Sequence, residues 1–126
     1  PEGGLVRAFT FTPSPGSSRA SFQRIGRRQA MAIARLSVAA MGALDDSGAV
    51  SFVRVVPGAA FARFRRLRVV EEMLVGRRPA PDLLAGAGSA MADEFLAESG
   101  SRWSAPYKRQ AIAALTERAL AEVLGS

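Results

Sequence analysis

The residue types that usually do catalytic work are thinly represented in this sequence. It has no histidine and no cysteine. That removes disulfides, thiol nucleophiles, triads built on histidine, and haem or zinc ligation through either side chain. Carboxylates occur as three adjacent pairs, Asp45-Asp46, Glu71-Glu72 and Asp93-Glu94. General acid–base chemistry needs two carboxylates converging on one cleft, and neighbours on a turn or helix diverge instead. The pairs read as a turn and two solvated helix faces. Without histidine, a serine or tyrosine nucleophile would need Lys108 as its base, the only lysine in the chain. Lys108 follows Tyr107 directly, and consecutive helix positions point in different directions.

Phosphate-binding loops are also missing. Gly86-Ala87-Gly88-Ser89-Ala90 lacks the third glycine of a dinucleotide loop and falls inside a helical pattern rather than after a strand. It reads as a site of close helix packing. No G-x-x-x-x-G-K-[ST] segment exists.

What remains is arginine. Of 17 basic residues all but Lys108 are Arg, against 11 acidic residues, for a net charge of +6. Residues 1–68 hold 11 basic and 3 acidic residues, a net of +8, whereas residues 69–126 hold 6 and 8, a net of −2. The basic half suits an anion: a nucleic acid, a nucleotide cofactor or an acidic partner subunit. Two clusters stand out. Arg63, Arg65, Arg66 and Arg68 are interleaved with Phe61 and Phe64. Such a surface suits a nucleic-acid single strand, or else an edge strand guarded by charge. Arg24, Arg27 and Arg28 lie in Phe22-Gln23-Arg24-Ile25-Gly26-Arg27-Arg28, ahead of a short helix. Guanidinium groups there would take a phosphate or a carboxylate, or simply face solvent.

The elements that must position these groups follow from the apolar pattern. At 126 residues with 48% apolar content, the chain fits one domain with one packed core. Residues 1–19 read as a linker, with Pro/Gly/Ser clusters on either side of a strand-like Leu5 to Phe11. Ser21 to Gly26 is a short extended piece, and Arg27 to Ala34 one or two helical turns. Leu36 to Leu44 is apolar on both faces, as in a buried strand. Asp45-Asp46-Ser47-Gly48 is a turn, and Ala49 to Val56 the return strand. Ala59 to Arg66 would supply a third strand. A short helix follows over Val69 to Val75, closed by Gly76. Pro81 starts a second helix with Leu84, Ala87, Met91 and Phe95 on one face. Pro106 starts a third with Ile112, Leu115, Ala119 and Val123 aligned. The predicted fold is α+β: a small antiparallel sheet of about three strands against three C-terminal helices, with a short helix before the first core strand. No apolar run approaches the roughly 20 residues of a membrane helix and no signal peptide is visible, so a cytoplasmic protein is expected.

Several of these segments, in this order, resemble the C-terminal domain of the FAD-binding subunit of molybdenum hydroxylases, the xanthine dehydrogenase and carbon monoxide dehydrogenase type. That family opens with a Phe-x-Lys-x-x-x-Arg-like stretch and a turn of helix, here Phe22 to Ala34. A strand matching Leu36-Ser37-Val38-Ala39-Ala40 follows, then a glycine matching Gly58. An Arg and a Glu before Leu-Val-Gly match Arg66, Glu71 and Leu74-Val75-Gly76. The last helix opens with an Arg-x-Ser-x-x-Tyr-Arg-like signature, here Arg102 to Lys108. The sequence departs from the family at Ala32, at Ala62-Arg63-Phe64 and at Gly100.

The resemblance covers about residues 20–124. It implies a flavoprotein C-terminal domain over 20–126, with 1–19 leading from an upstream FAD domain. That domain would carry the phosphate-binding loops and hold most of the FAD. The C-terminal domain would pack against it, close one side of the flavin pocket, and support electron transfer and subunit assembly. The chemistry would belong to the whole FAD-dependent oxidoreductase and not to a catalytic residue here. Gln23, Arg24 and Arg27 are the implied flavin-side residues; a cation at the pyrimidine end of a flavin favours its reduced form. Equally, the arginines would salt-bridge the neighbouring domain. Ser104 would cap the last helix and Tyr107 would pack with its hydroxyl bonded. The implied partners are the FAD domain and the molybdenum-bearing and iron–sulfur subunits, with no metal bound here and no membrane. Two other readings use the same residues: a basic module for single-stranded nucleic acid, and a cofactor-free α+β adaptor or dimerisation domain.

Overall fold

The structure is a computed structural model that describes residues 3–26, 34–99 and 105–125. Three strands come first: β1 (Arg19–Gly26), β2 (Ala34–Leu44) and β3 (Val50–Gly58). Three helices follow: α1 (Arg68–Leu74), α2 (Pro81–Ser99) and α3 (Ala105–Leu124). The strands form one antiparallel sheet in the order β1-β2-β3. The α+β prediction holds, but the third strand lies elsewhere in the sequence than expected. It is the extended piece before the core strand, not Ala59 to Arg66.

The reason is local. Ala59 adopts a positive φ of 56° directly after β3, which breaks the extended run. The chain then turns toward α2. Phe61 meets Phe95 edge-on, with centroids 6.3 Å apart, and Arg65 stacks on Phe61 at 4.6 Å. Leu5 to Phe11 also carries no strand. Of the short helix expected over Arg27 to Ala34, residues 27–33 lie outside the described residues, and Ala34 opens β2.

Side chains alternate across the pleat. Leu36, Val38 and Ala40 of β2, with Val53 and Val55 of β3, are buried beneath the helices. The turn after β2 forms as predicted. Asp45 Oδ1 accepts the Ser47 amide at 2.8 Å, the Ala49 amide at 3.0 Å and the Ser47 hydroxyl at 2.6 Å. Gly76, at φ +77°, ends α1 as expected.

The predicted apolar faces of α2 and α3 are the ones that are buried. Gly88 lets these helices touch: a Cβ there would lie 2.7 Å from the Ala113 carbonyl oxygen. Of the two glycines of the sequence, Gly88 is therefore the packing feature read above, whereas Gly86 has room for a Cβ. Beyond α3 the chain returns to its start. Arg19 Nη1, at the head of β1, donates to the Gly125 carbonyl.

Candidate functional site

The pleat decides what each residue of β1 can do. Ser21, Gln23 and Ile25 are half-buried, paired with Ala40, Val38 and Leu36 on the helix-facing side. Phe22 and Arg24 are exposed and pair with Ala39 and Ser37 on the opposite side. Gln23 and Arg24 are thus neighbours in sequence that project to opposite faces. Gln23 Nε2 donates to Ser21 Oγ at 3.2 Å, and Ser21 Oγ donates to Glu122 Oε2 of α3 at 2.6 Å. That polar chain ties the strand to the last helix. Arg24 stands on the open face with the Phe22 ring, which is 64% exposed. Arg27, the third predicted site residue, lies outside the described residues.

The open face is itself a feature. Phe22, Ala39, Met41 and Val56, with the Arg54 side chain, line a mainly apolar depression of about 450 Å³. Arg54 also stacks on Phe52, 5.5 Å from the ring centroid. Thr12, Pro13, Ser14 and Pro15 border a second depression of about 480 Å³ with Ser51, Phe52 and Arg54. Ser14 Oγ donates to Met41 Sδ at 2.9 Å. This face was not readable beforehand, because Ala, Met and Val in a strand read as core whichever way they point.

Two of the four arginines of the second cluster are committed to carboxylates. Arg65 pairs with Glu98, whose Oε1 also accepts the Ala62 amide at 2.7 Å. The bond from Arg65, and next the amide, hold the Glu98 carboxyl below the usual range. Arg66 grips Glu71 through Nε at 3.0 Å and Nη2 at 2.5 Å. Arg63 and Arg68 are exposed.

Glu71 departs from the solvated position expected for it: only 4% of it is exposed. Burial pushes its carboxyl up, but the Arg66 hydrogen bond and the Val55 amide outweigh this and hold it low. The other acidic pairs diverge as predicted. Asp93 meets Arg109 at 3.2 Å, while Glu94 faces Arg65 at 3.9 Å. Tyr107 is 55% exposed rather than buried, and Arg102, Trp103 and Ser104 lie outside the described residues. Among the described residues no group of His, Cys, Asp and Glu side chains is placed to hold a metal ion. No helix among them is long and apolar enough to cross a membrane.

A three-stranded sheet, helix-covered on one face and apolar on the other, defines an α+β domain with one large surface left uncovered. Residues 20–123 match the family of CO dehydrogenase flavoprotein C-terminal domains, and the chain belongs to that family. The fold is that of solved relatives. Carbon monoxide dehydrogenase from Hydrogenophaga pseudoflava superposes with a TM-score of 0.75 at 18% identity over 87% of this chain. Quinoline 2-oxidoreductase from Pseudomonas putida 86 gives 0.73 at 19% over 89%, and reconstituted CO dehydrogenase from Oligotropha carboxidovorans 0.76 at 13% over 88%. The chain spans 38% of the length of each of these matched chains. No curated protein sequence matches it.

Proposed function

We propose that this domain closes one side of the FAD pocket in the flavoprotein subunit of a cytoplasmic molybdenum hydroxylase. The observation that carries the reading is the family match over residues 20–123 on this fold. In this reading residues 1–19 lead in from the FAD domain and 20–126 form the closing domain. The partners are the FAD domain itself and the molybdenum-bearing and iron–sulfur subunits.

The residues fit FAD only in part. The depressions on the open face are open to solvent, and neither is lined by a glycine-rich loop at a helix start. The diphosphate of the cofactor has no seat there. What fits is a flat ring edge set against Phe22 and Arg24 at one rim of the sheet. Bound FAD would supply electron transfer between the iron–sulfur relay and an acceptor.

This chain's own contribution is positional and electrostatic. Arg24 brings a positive charge to the open face, where it would stand near the pyrimidine end of the ring. Gln23 works from the other face. Through Ser21 and Glu122 it fixes β1 against α3, and so fixes where Arg24 projects. Arg27, three residues on, is the second cation assigned to the same boundary.

The test is to purify the native gene product and record its intact mass and visible spectrum. A longer polypeptide with flavin absorbance supports the reading, and a colourless product of 13.3 kDa overturns it. The 126-residue chain alone is expected to fold but to bind FAD with a Kd weaker than about 1 μM. Tighter binding would move the cofactor site into this domain.

A further inference from the structure

One polar side chain of the sheet has no use within the fold. Ser37 carries the only hydroxyl of β2 and sits between Leu36 and Val38, which enter the core. The pleat therefore sends Ser37 to the open face, yet only 8% of it is exposed. Among the described residues no hydrogen bond reaches its Oγ. A covered hydroxyl costs stability unless something bonds it, and most such groups in folded proteins are bonded. Nor is this one sealed in. No fully buried side-chain oxygen or nitrogen among the described residues lacks a partner, so Ser37 Oγ keeps an opening to the surface.

The neighbours of that hydroxyl define what fits it. Ser37 lies in a cross-strand row with Arg24 of β1 and Gly58 of β3 as its register partners. Paired residues project to the same face, so Arg24 and Ser37 share it. Gly58 leaves the hydroxyl its room: a Cβ there would collide with Ser37 Oγ, and the exposed Phe64 ring comes within 3.8 Å of the same point. The next row on this face is Phe22, Ala39 and Val56, wholly apolar and about 7 Å further along the strands. A polar row beside an apolar one suits a flat ring system that is polar at one end and apolar at the other. The isoalloxazine of a flavin has that form, with carbonyl groups at its pyrimidine end and methyl groups at the opposite end. We infer that Ser37 is a flavin-contacting residue, its hydroxyl donating to a carbonyl oxygen at the pyrimidine end while the apolar end lies toward Phe22, Ala39 and Val56.

The assignment deepens the flavin-pocket reading and rests on it. It also divides the work within the row. Arg24 stands on an edge strand at the end of a long stem and supplies charge. Ser37 stands on the central strand, which is paired on both sides. Its short side chain on that rigid support fixes where the ring edge stops.

The test uses the native gene product, stripped of flavin and titrated with FAD. Ser37→Ala is expected to weaken FAD binding about three- to tenfold and to shift the flavin absorption band. The melting temperature of its apoprotein is expected to stay within about 1 °C of wild type, because the hydroxyl bonds nothing in the fold. Ser37→Thr keeps a hydroxyl at the position and is expected to restore the wild-type band. Equal affinity and an unmoved band in Ser37→Ala overturn the inference and leave the flavoprotein reading in place. An apoprotein melting temperature lowered by about 4 °C or more also overturns it, since the hydroxyl would then serve the fold. A native product that carries no flavin and takes none up removes the flavoprotein reading and this assignment together.

Discussion

Glu71 Oε1 accepts the amide of Val55 at 2.9 Å, so a side chain from α1 occupies the edge of β3 where a fourth strand would pair. The rest of that edge is closed in the same spirit. The Leu67 amide donates to the Val55 carbonyl and the Gly76 amide to the Val50 carbonyl, while the Val50 amide donates to Arg77, each at 2.9 Å. Pro57 has no amide to offer. An edge satisfied by its own chain resists pairing with a stranger. Among the described residues no backbone bond of this kind closes the outer edge of β1.

Removing the charge at Glu71 while keeping its shape should therefore cost stability. Glu71→Gln retains one acceptor for Val55 but loses the charge-assisted bonds from Arg66. The expected loss is about 1–3 kcal/mol, read from the urea midpoint at neutral pH. An unchanged midpoint would show that Glu71 is not the clasp described.

The same carboxylate sets an acid dependence. Its folded value is lowered from 4.5, so its contribution is complete above that pH. The contribution fades as the pH falls through the lowered folded value. Wild-type stability should drop across this range more steeply than that of Glu71→Gln. Parallel stability–pH curves for the two proteins would contradict the assignment.

Two glycines two residues apart in α2 should respond in opposite directions. At Gly88 an added Cβ meets the Ala113 carbonyl oxygen at 2.7 Å, so Gly88→Ala should destabilise by about 1–3 kcal/mol. At Gly86 the nearest atom is the Met73 methyl at 3.8 Å, an ordinary contact. Gly86→Ala should stabilise by about 0.5–1 kcal/mol through helix propensity. Thermal unfolding of both variants decides the matter, and matching signs would refute the packing argument.

Under the proposed function, the opposite projections of Gln23 and Arg24 would give them separate roles. Arg24→Gln should lower the flavin midpoint potential by roughly 30 mV, which for a two-electron couple corresponds to about 1.4 kcal/mol. Gln23→Leu should leave the potential in place and lower the melting temperature, since it breaks the link to Ser21 and Glu122. A redox titration in which Gln23→Leu shifts the potential as much as Arg24→Gln would place the ring on the other face.

Much of this architecture was legible in the residues. Helix spacing placed Met91, Phe95, Ile112 and Val123 in the core because burial on one stripe leaves a period. The Asp45 turn was legible because its side chain makes the turn's own hydrogen bonds. The order of family segments identified the domain where no single motif would. The third strand was not legible. In β1 the helix-facing positions Ser21 and Gln23 are polar and the solvent-facing Phe22 is apolar, which inverts the usual pattern. Glu71 was hidden for a related reason. A carboxylate is buried only when a partner meets it, and that partner is visible only once α1 folds against β3. The face that Arg24 occupies was not legible, because it depends on register, and a one-residue slip would have reversed it.

The bond between Arg19 and the Gly125 carbonyl brings the first residue of the sheet to the last turn of the final helix. A domain whose way in and way out are side by side behaves as a cassette. It can be spliced into a longer chain without stretching either neighbour, and its order along the chain can be permuted while its packing stays intact.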